Sequence, residues 1–403
     1  MVELIDIQRL HIQPLSSSSK RQMYIITCDD RHFEVSQPVA ELVKMLKAKK
    51  SIEEISQKLS QKKGEKFSPS KIEELIDTYI NPILEANGKK VNSYIWLKKD
   101  FISDKTLRPL TNLLSHLFKP EVVAVVTACI LIGQGYLFIY ATDAWTVGGN
   151  TFSFTSFLFA GVLFFLSIIF HELGHASACR YYGITHGHIG VGLYLHFPVF
   201  YADVSNIWKL KRGQRVVVDL AGIYFQLVFL LPVILAWSIT GDAKLKYVVF
   251  AINLSFLFDL NPFFRFDGYW VVTDLLGIAN LRQRTNEAIS YIMKKLRGQA
   301  ITKTPYLFKI NNREKYVFIG YVILSNLFFG YYILYRMPVF LYNFGKTVPD
   351  DLQLLFSSYK TGTPFNFDLL GSVLVQLAFI LLSFYILIKI SVRIRRYTTD
   401  KIL

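Results

Sequence analysis

Phe152-Ser-Phe-Thr-Ser-Phe-Leu-Phe-Ala-Gly-Val-Leu-Phe-Phe-Leu-Ser-Ile-Ile-Phe170 runs without a charge into His171-Glu172-Leu173-Gly174-His175, and the fold turns on how this stretch is read. As a helix, the uncharged part crosses a hydrocarbon core of about 30 Å, which puts the ionisable cluster at membrane depth or just below the surface. Such groups are costly inside a span and mark functional sites. Four residues apart, His171 and His175 leave one helix face and can take two corners of a tetrahedral zinc ion. Glu172 lies beside them, placed to act as the catalytic base on a water acidified by the metal. The plain alternative is a pair of core histidines bonded to backbone carbonyls.

The 403-residue chain is 52% hydrophobic and 15% aromatic, with its apolar residues in long runs, as in a polytopic membrane protein. A net charge of +15 suits nucleic acid when the cations gather on one surface. Here they fall mainly between the hydrophobic runs, where retention on the cytoplasmic side explains them, and no nucleic-acid partner is expected. Cys28, Cys129 and Cys179 have no paired spacing, which argues against a disulfide framework and a thiolate metal cage. The first apolar span begins near Val122, so no cleavable signal peptide is expected.

Six spans are expected, near 122–141, 152–175, 216–239, 247–262, 316–335 and 369–388, giving a mostly α membrane domain over 118–403. Lys98, Lys99, Lys105, Arg108 and Lys119 precede the first span, whereas 142–151 has neither Lys nor Arg. The same alternation continues along the chain and places both termini in the cytoplasm, with the protein multi-pass in the cell membrane. The second and fourth spans then travel inward. Asp267, at the end of Asp259-Leu-Asn261-Pro262-Phe-Phe-Arg265-Phe-Asp267-Gly268, therefore reaches the same leaflet as the two histidines. A carboxylate there can be the third zinc ligand and leave the fourth position open; the alternatives are a surface Asp or a partner for Arg265. Pro262 and Gly268 break the helix, which a membrane tolerates where backbone lines a cavity.

These motifs carry a resemblance. His171-Glu-Leu-Gly-His175 in one span, with Pro262-x-x-x-x-Asp267-Gly268 at the end of a later one, is similar to the site-2 protease family of intramembrane zinc metalloproteases. Asp219-Leu-Ala221-Gly222-Ile223-Tyr-Phe-Gln226 sits where that family carries Ala-Gly-Pro-x-x-Asn, with Ile223 in place of Pro. The segment from Asn261 to Trp270, followed by Thr273-Asp274 and Asn280-Leu-Arg282, resembles the branch called peptide zinc metalloproteases, found beside bacterial peptide-maturation systems. The resemblance implies one zinc per chain, His171, His175 and Asp267 as ligands, and Glu172 as base. Asp259 stands where Asn is frequent in the family and is either a supporting group or a competing ligand; Asn261 is a second supporting candidate.

Residues 183–205 alternate Gly with β-branched and aromatic residues, as a membrane-dipping hairpin would, and its edge can hold a scissile segment extended over the metal. His186 and His188 are candidates there for stabilising the carbonyl oxyanion; the alternative for them, and for His196, is loop structure. The basic stretch 280–296 is expected to lie along the anionic inner leaflet.

Residues 1–117 read as a small cytosolic α+β, winged-helix-like domain, with strands near 9–13, 22–27 and 32–36 and helices near 39–48, 51–59 and 68–80. The run from Tyr24 to Ile55 resembles peptide-recognition domains of the pyrroloquinoline-quinone D-protein (PqqD) type. That likeness implies a substrate leader added as a strand at an edge formed by Gln22, Met23, Tyr24, Ile25, Ile26 and Thr27. Together these readings point to a membrane zinc endopeptidase acting on a ribosomally made peptide or a membrane-embedded segment, with a peptide-modifying enzyme or exporter as partner. Regulated cleavage of a tethered regulator or remnant signal peptide, and a non-catalytic export or immunity role, are the alternatives.

Overall fold

The computed structural model describes residues 7–28, 31–63, 67–85, 95–141, 154–194, 197–301, 304–361 and some of the positions between 369 and 388. The N-terminal part is a three-stranded antiparallel sheet, β1 (His11–Leu15), β2 (Met23–Cys28) and β3 (Arg31–Ser36), followed by α1 (Gln37–Lys47), α2 (Ile52–Lys63), α3 (Pro69–Tyr79) and α4 (Asn81–Glu85). Alternation sends Ile12, Ile26 and Phe33, which pair across the strands, to one face, where they join Val43, Ile55 and Ile72 of the helices in a single core. The caps are those the sequence offers: the Ser68 hydroxyl accepts from Lys71 N–H and that of Ser51 from Glu54 N–H.

The strand order corrects one expectation. Along Met23 to Thr27, β2 is the central strand, paired with β1 on one side and β3 on the other, so Gln22 to Thr27 offer no free edge to a peptide. The outer strands are β1 and β3.

Beyond the helices lie β4 (Ile95–Ile102), α5 (Asp104–Leu114), α6 (Pro120–Ile139), α7 (Phe154–Tyr181), β5 (Ile189–Tyr194), β6 (Phe197–Ala202), α8 (Arg212–Thr240), α9 (Ala243–Asp259), α10 (Asp267–Leu276), α11 (Leu281–Leu296), α12 (Asn312–Tyr331) and α13 (Met337–Thr361). Strands β4, β5 and β6 form a second sheet in that order, so the expected hairpin is joined by a strand from before the first apolar helix.

Among the described residues, four helical stretches are long and apolar enough to cross a membrane: Pro120–Ile139, Leu158–Tyr181, Arg212–Thr240 and Asn312–Ser357. The expected fourth span is α9, a 17-residue helix of about 25 Å. The sixth falls among partly described residues. Residues from Ile319 onward form a compact unit of their own, in which the chain passes through a π-helical turn at Tyr332–Arg336 and stays helical to Thr361. The stretch that the six expected spans leave after 335 is thus helical to Thr361 as α13; Pro338, Gly345 and Pro349 are the helix-breaking residue types within it, Pro338 in its first turn and Pro349 in its interior.

In the first unit, α8 is the element on which the others are gauged. Gly174 lets α7 approach it so closely that a Cβ there would overlap the Ala221 carbonyl. At its N-terminal end, Arg215 is 1% exposed and donates from Nε to Asp274 Oδ1 of α10 at 2.6 Å, and from a terminal nitrogen to the Ser16 carbonyl at 3.2 Å. Arg212 donates to the Asp274 and Leu275 carbonyls, closing the negative end of α10. Next to Ser16, the buried Ser18 donates its N–H to the Gly277 carbonyl at 3.1 Å and accepts from Asn311 N–H at 3.0 Å. The N-terminal sheet is tied to the membrane body through this segment.

Replacing Asp274 with Ala would remove the carboxylate to which Arg215 Nε donates and leave the buried guanidinium on its carbonyl partners, a change that costs about 3–5 kcal/mol. Denaturant unfolding in detergent should show a loss of that size; a loss under about 1 kcal/mol would mean the pair does not hold α10 in place.

Candidate metal centre

His171 and His175 lie in the C-terminal half of α7, one turn apart and both buried. The broken segment between α9 and α10 brings Asp267 to them. Asn261 builds the break: its side-chain oxygen accepts from Phe263 N–H at 2.9 Å and Phe264 N–H at 3.3 Å. Gly268 then fits against the Leu260 carbonyl, where a Cβ would collide, so Asp267 is delivered at the first residue of α10.

Three ligand atoms converge. His171 Nε2 is 3.2 Å from His175 Nε2 and 3.0 Å from Asp267 Oδ2, and His175 Nε2 is 3.3 Å from that oxygen. The Nδ1–H of His175 donates to the Val218 carbonyl at 2.7 Å, which leaves Nε2 with its lone pair facing inward. Lone pairs of two imidazoles and a carboxylate at these distances repel unless a cation lies among them. A tetrahedral ion with ligands at about 2.0–2.1 Å sets those ligands about 3.3–3.4 Å apart, close to the spacings found. Two imidazoles and one carboxylate also match the donor set of catalytic zinc, with one position left open. Among the described residues this is the one His/Cys/Asp/Glu group so arranged.

Gly222 keeps the space clear. A Cβ at that position on α8 would overlap both His171 Nε2 and His175 Nε2. Glu172 is 7% exposed, and the backbone N–H of Ala202, the last residue of β6, lies in its electrostatic neighbourhood. Neither Gly222 nor Ala202 was identifiable as a site residue by residue chemistry. The signal for Gly222 was its place in the Ala221-Gly222 pair of the third apolar helix.

The remaining candidates lie elsewhere. Asp259 accepts from the Ser255 hydroxyl at 3.1 Å; it is in the electrostatic neighbourhood of His171 but outside the ligand cluster. His186 is buried, with Nδ1 paired to the Gly187 carbonyl at 2.9 Å and Nε2, which makes no hydrogen bond, 3.2 Å from Asp104 Oδ1. Burial lowers its imidazole from the ordinary value despite the carboxylate of Asp104. His188 is exposed at the base of the hairpin, where its carbonyl accepts from Asp203 N–H. His196 is outside the described residues.

Comparison with known proteins gives one distant likeness. Over 121 residues the chain is 26% identical to a Bacillus subtilis (strain 168) protein named "Putative peptide zinc metalloprotease protein YydH". The aligned part is 29% of this chain and 47% of that protein, so the chain spans about half the length of the curated relative it matches. No family model and no solved structure matches the chain.

Purified chain should carry about one zinc by elemental analysis. His175→Ala and Asp267→Ala should lower the retained metal at least tenfold, and Gly222→Ala should do so without removing a ligand. Full zinc occupancy in Asp267→Ala would remove the carboxylate from the site.

Proposed function

We propose that the chain is an integral membrane zinc endopeptidase of the site-2 type. The observation that carries this reading is the set of three lone-pair atoms 3.0–3.3 Å apart beside a buried glutamate. Zinc held by His171, His175 and Asp267 would supply a Lewis acid that polarises a peptide carbonyl and acidifies water. Glu172 takes the proton of the attacking water and returns it to the leaving amine nitrogen. The Ala202 N–H lies beside this carboxylate. Gly222 keeps the space beside the two Nε2 atoms clear, and β6, whose last residue is Ala202, is a strand along which a scissile segment can lie.

In this reading there are six spans with both termini cytoplasmic, and the site opens to the cytoplasmic leaflet. The substrate is a ribosomally made peptide precursor or membrane-embedded peptide. With β2 paired on both sides, the N-terminal domain has only the outer sides of β1 and β3 for strand addition. The distant relative's name supports peptide proteolysis and does not separate maturation from release of a tethered regulator.

Glu172→Gln tests the chemistry. With fluorophore-labelled membrane peptides in proteoliposomes, its turnover should fall about 10²–10⁴-fold while its zinc content stays that of the parent. Cleavage at parental rates by Glu172→Gln would refute hydrolysis through this glutamate, and absence of cleavage by the zinc-loaded parent across peptides from precursor and regulator classes would favour the non-catalytic alternative.

A further inference from the structure

β4 is exposed along its length. From Trp96 to Phe101 every residue faces outward, although successive side chains of a strand point to opposite sides, so both faces of β4 are uncovered. Leu97 holds the left-handed conformation at φ 49°, which an L side chain rarely adopts, and its apolar side chain is 79% exposed. The strand is nevertheless firmly seated. A Cβ on Gly190 would overlap the Lys99 carbonyl, and one on Gly192 would overlap the Ile95 side chain, so β5 is shaped to take β4 at close range.

The chain continues through Ser103 into α5, whose outer side bears exposed Leu110 and Leu113, and then enters α6 at Pro120. Interleaved with these apolar residues are Lys98, Lys99, Lys105, Arg108 and Lys119, all exposed. The acids of the stretch are mostly engaged. Asp100, itself exposed, accepts from the Tyr201 hydroxyl at 2.5 Å, and Asp104 pairs with Arg180, with His186 at 3.2 Å and with Arg108 at 3.4 Å; Glu121 is exposed at the head of α6.

From this we propose that β4 and α5 form a docking platform for anionic phospholipid headgroups. Two features select this occupant over a peptide strand or a second copy. The platform runs without interruption into a helix long and apolar enough to cross a bilayer, which holds it at headgroup level. Its aromatic, leucine and lysine mixture is the chemistry of an interfacial segment on an anionic leaflet. Lipid seated there bears on β4, which is hydrogen-bonded through β5 to β6, and β6 ends at Ala202 in the neighbourhood of Glu172. The inference concerns binding and stands whether or not the chain hydrolyses peptides.

The test uses the full chain with Cys129→Ser and Leu97→Cys, so that a polarity-sensitive dye reports from β4; Cys28 and Cys179 are buried and stay unlabelled. In phosphatidylcholine nanodiscs, adding phosphatidylglycerol should shift the emission to the blue, and salt should reverse the shift. Lys98→Gln with Lys99→Gln should weaken the apparent phosphatidylglycerol affinity about tenfold or more, and Lys98→Arg with Lys99→Arg should restore it, which separates charge from a folding defect. Equal emission in both lipids would overturn the proposal. So would a shift in detergent that grows with protein concentration, which marks a second copy, or one that requires added peptide.

Discussion

The structure depends on the contact between α7 and α8 at Gly174 and Gly222. Neither position has room for a β-carbon, one because of the Ala221 backbone and the other because of two imidazole nitrogens. Remove that closeness and the Val218 carbonyl no longer meets His175 Nδ1. The tautomer is then unfixed and the two Nε2 lone pairs lose their common direction.

The third ligand is placed by the same helix. Seven residues separate Gly222 from Arg215 on α8, and seven separate Asp267 from Asp274 on α10. Both intervals are about 10 Å of helix, so the ion pair at one end and the ligand cluster at the other fix α10 at two points. The N-terminal segment contributes to the far end, because Arg215 also bonds the Ser16 carbonyl and Ser18 pairs with Gly277. The buried charges at this junction hold a helix whose first residue is a metal-ligand candidate, which is a better account of them than stability alone.

The sequence was most informative where chemistry repeats at a helical interval. His171, Glu172 and His175 could be read from their spacing, and Asp267 from the direction in which two apolar runs travel. Local pattern also gave three strands and three helices, two of them with their caps, close to their bounds at the N-terminus. It could not say which strand lies in the middle, since alternation is the same for a central and an outer strand, and so β2 was misread as an edge. β4 was missed because it has no buried face to leave a period-two signal. Gly222, Ala202 and Arg215 act through approach between distant segments, and the helix after 336 continues past its apolar run, where hydropathy stops reporting.

The central claim is that one cation is held by two imidazoles from α7 and a carboxylate from the tip of α10. X-ray absorption at the zinc edge of the purified chain measures this directly. It should show two imidazole nitrogens and oxygen scatterers at about 2.0–2.1 Å, and Asp267→Ala reloaded with excess zinc should change the oxygen shell and keep the imidazole signal. A shell containing sulfur, an imidazole count other than two, or a spectrum unchanged by Asp267→Ala would contradict the account.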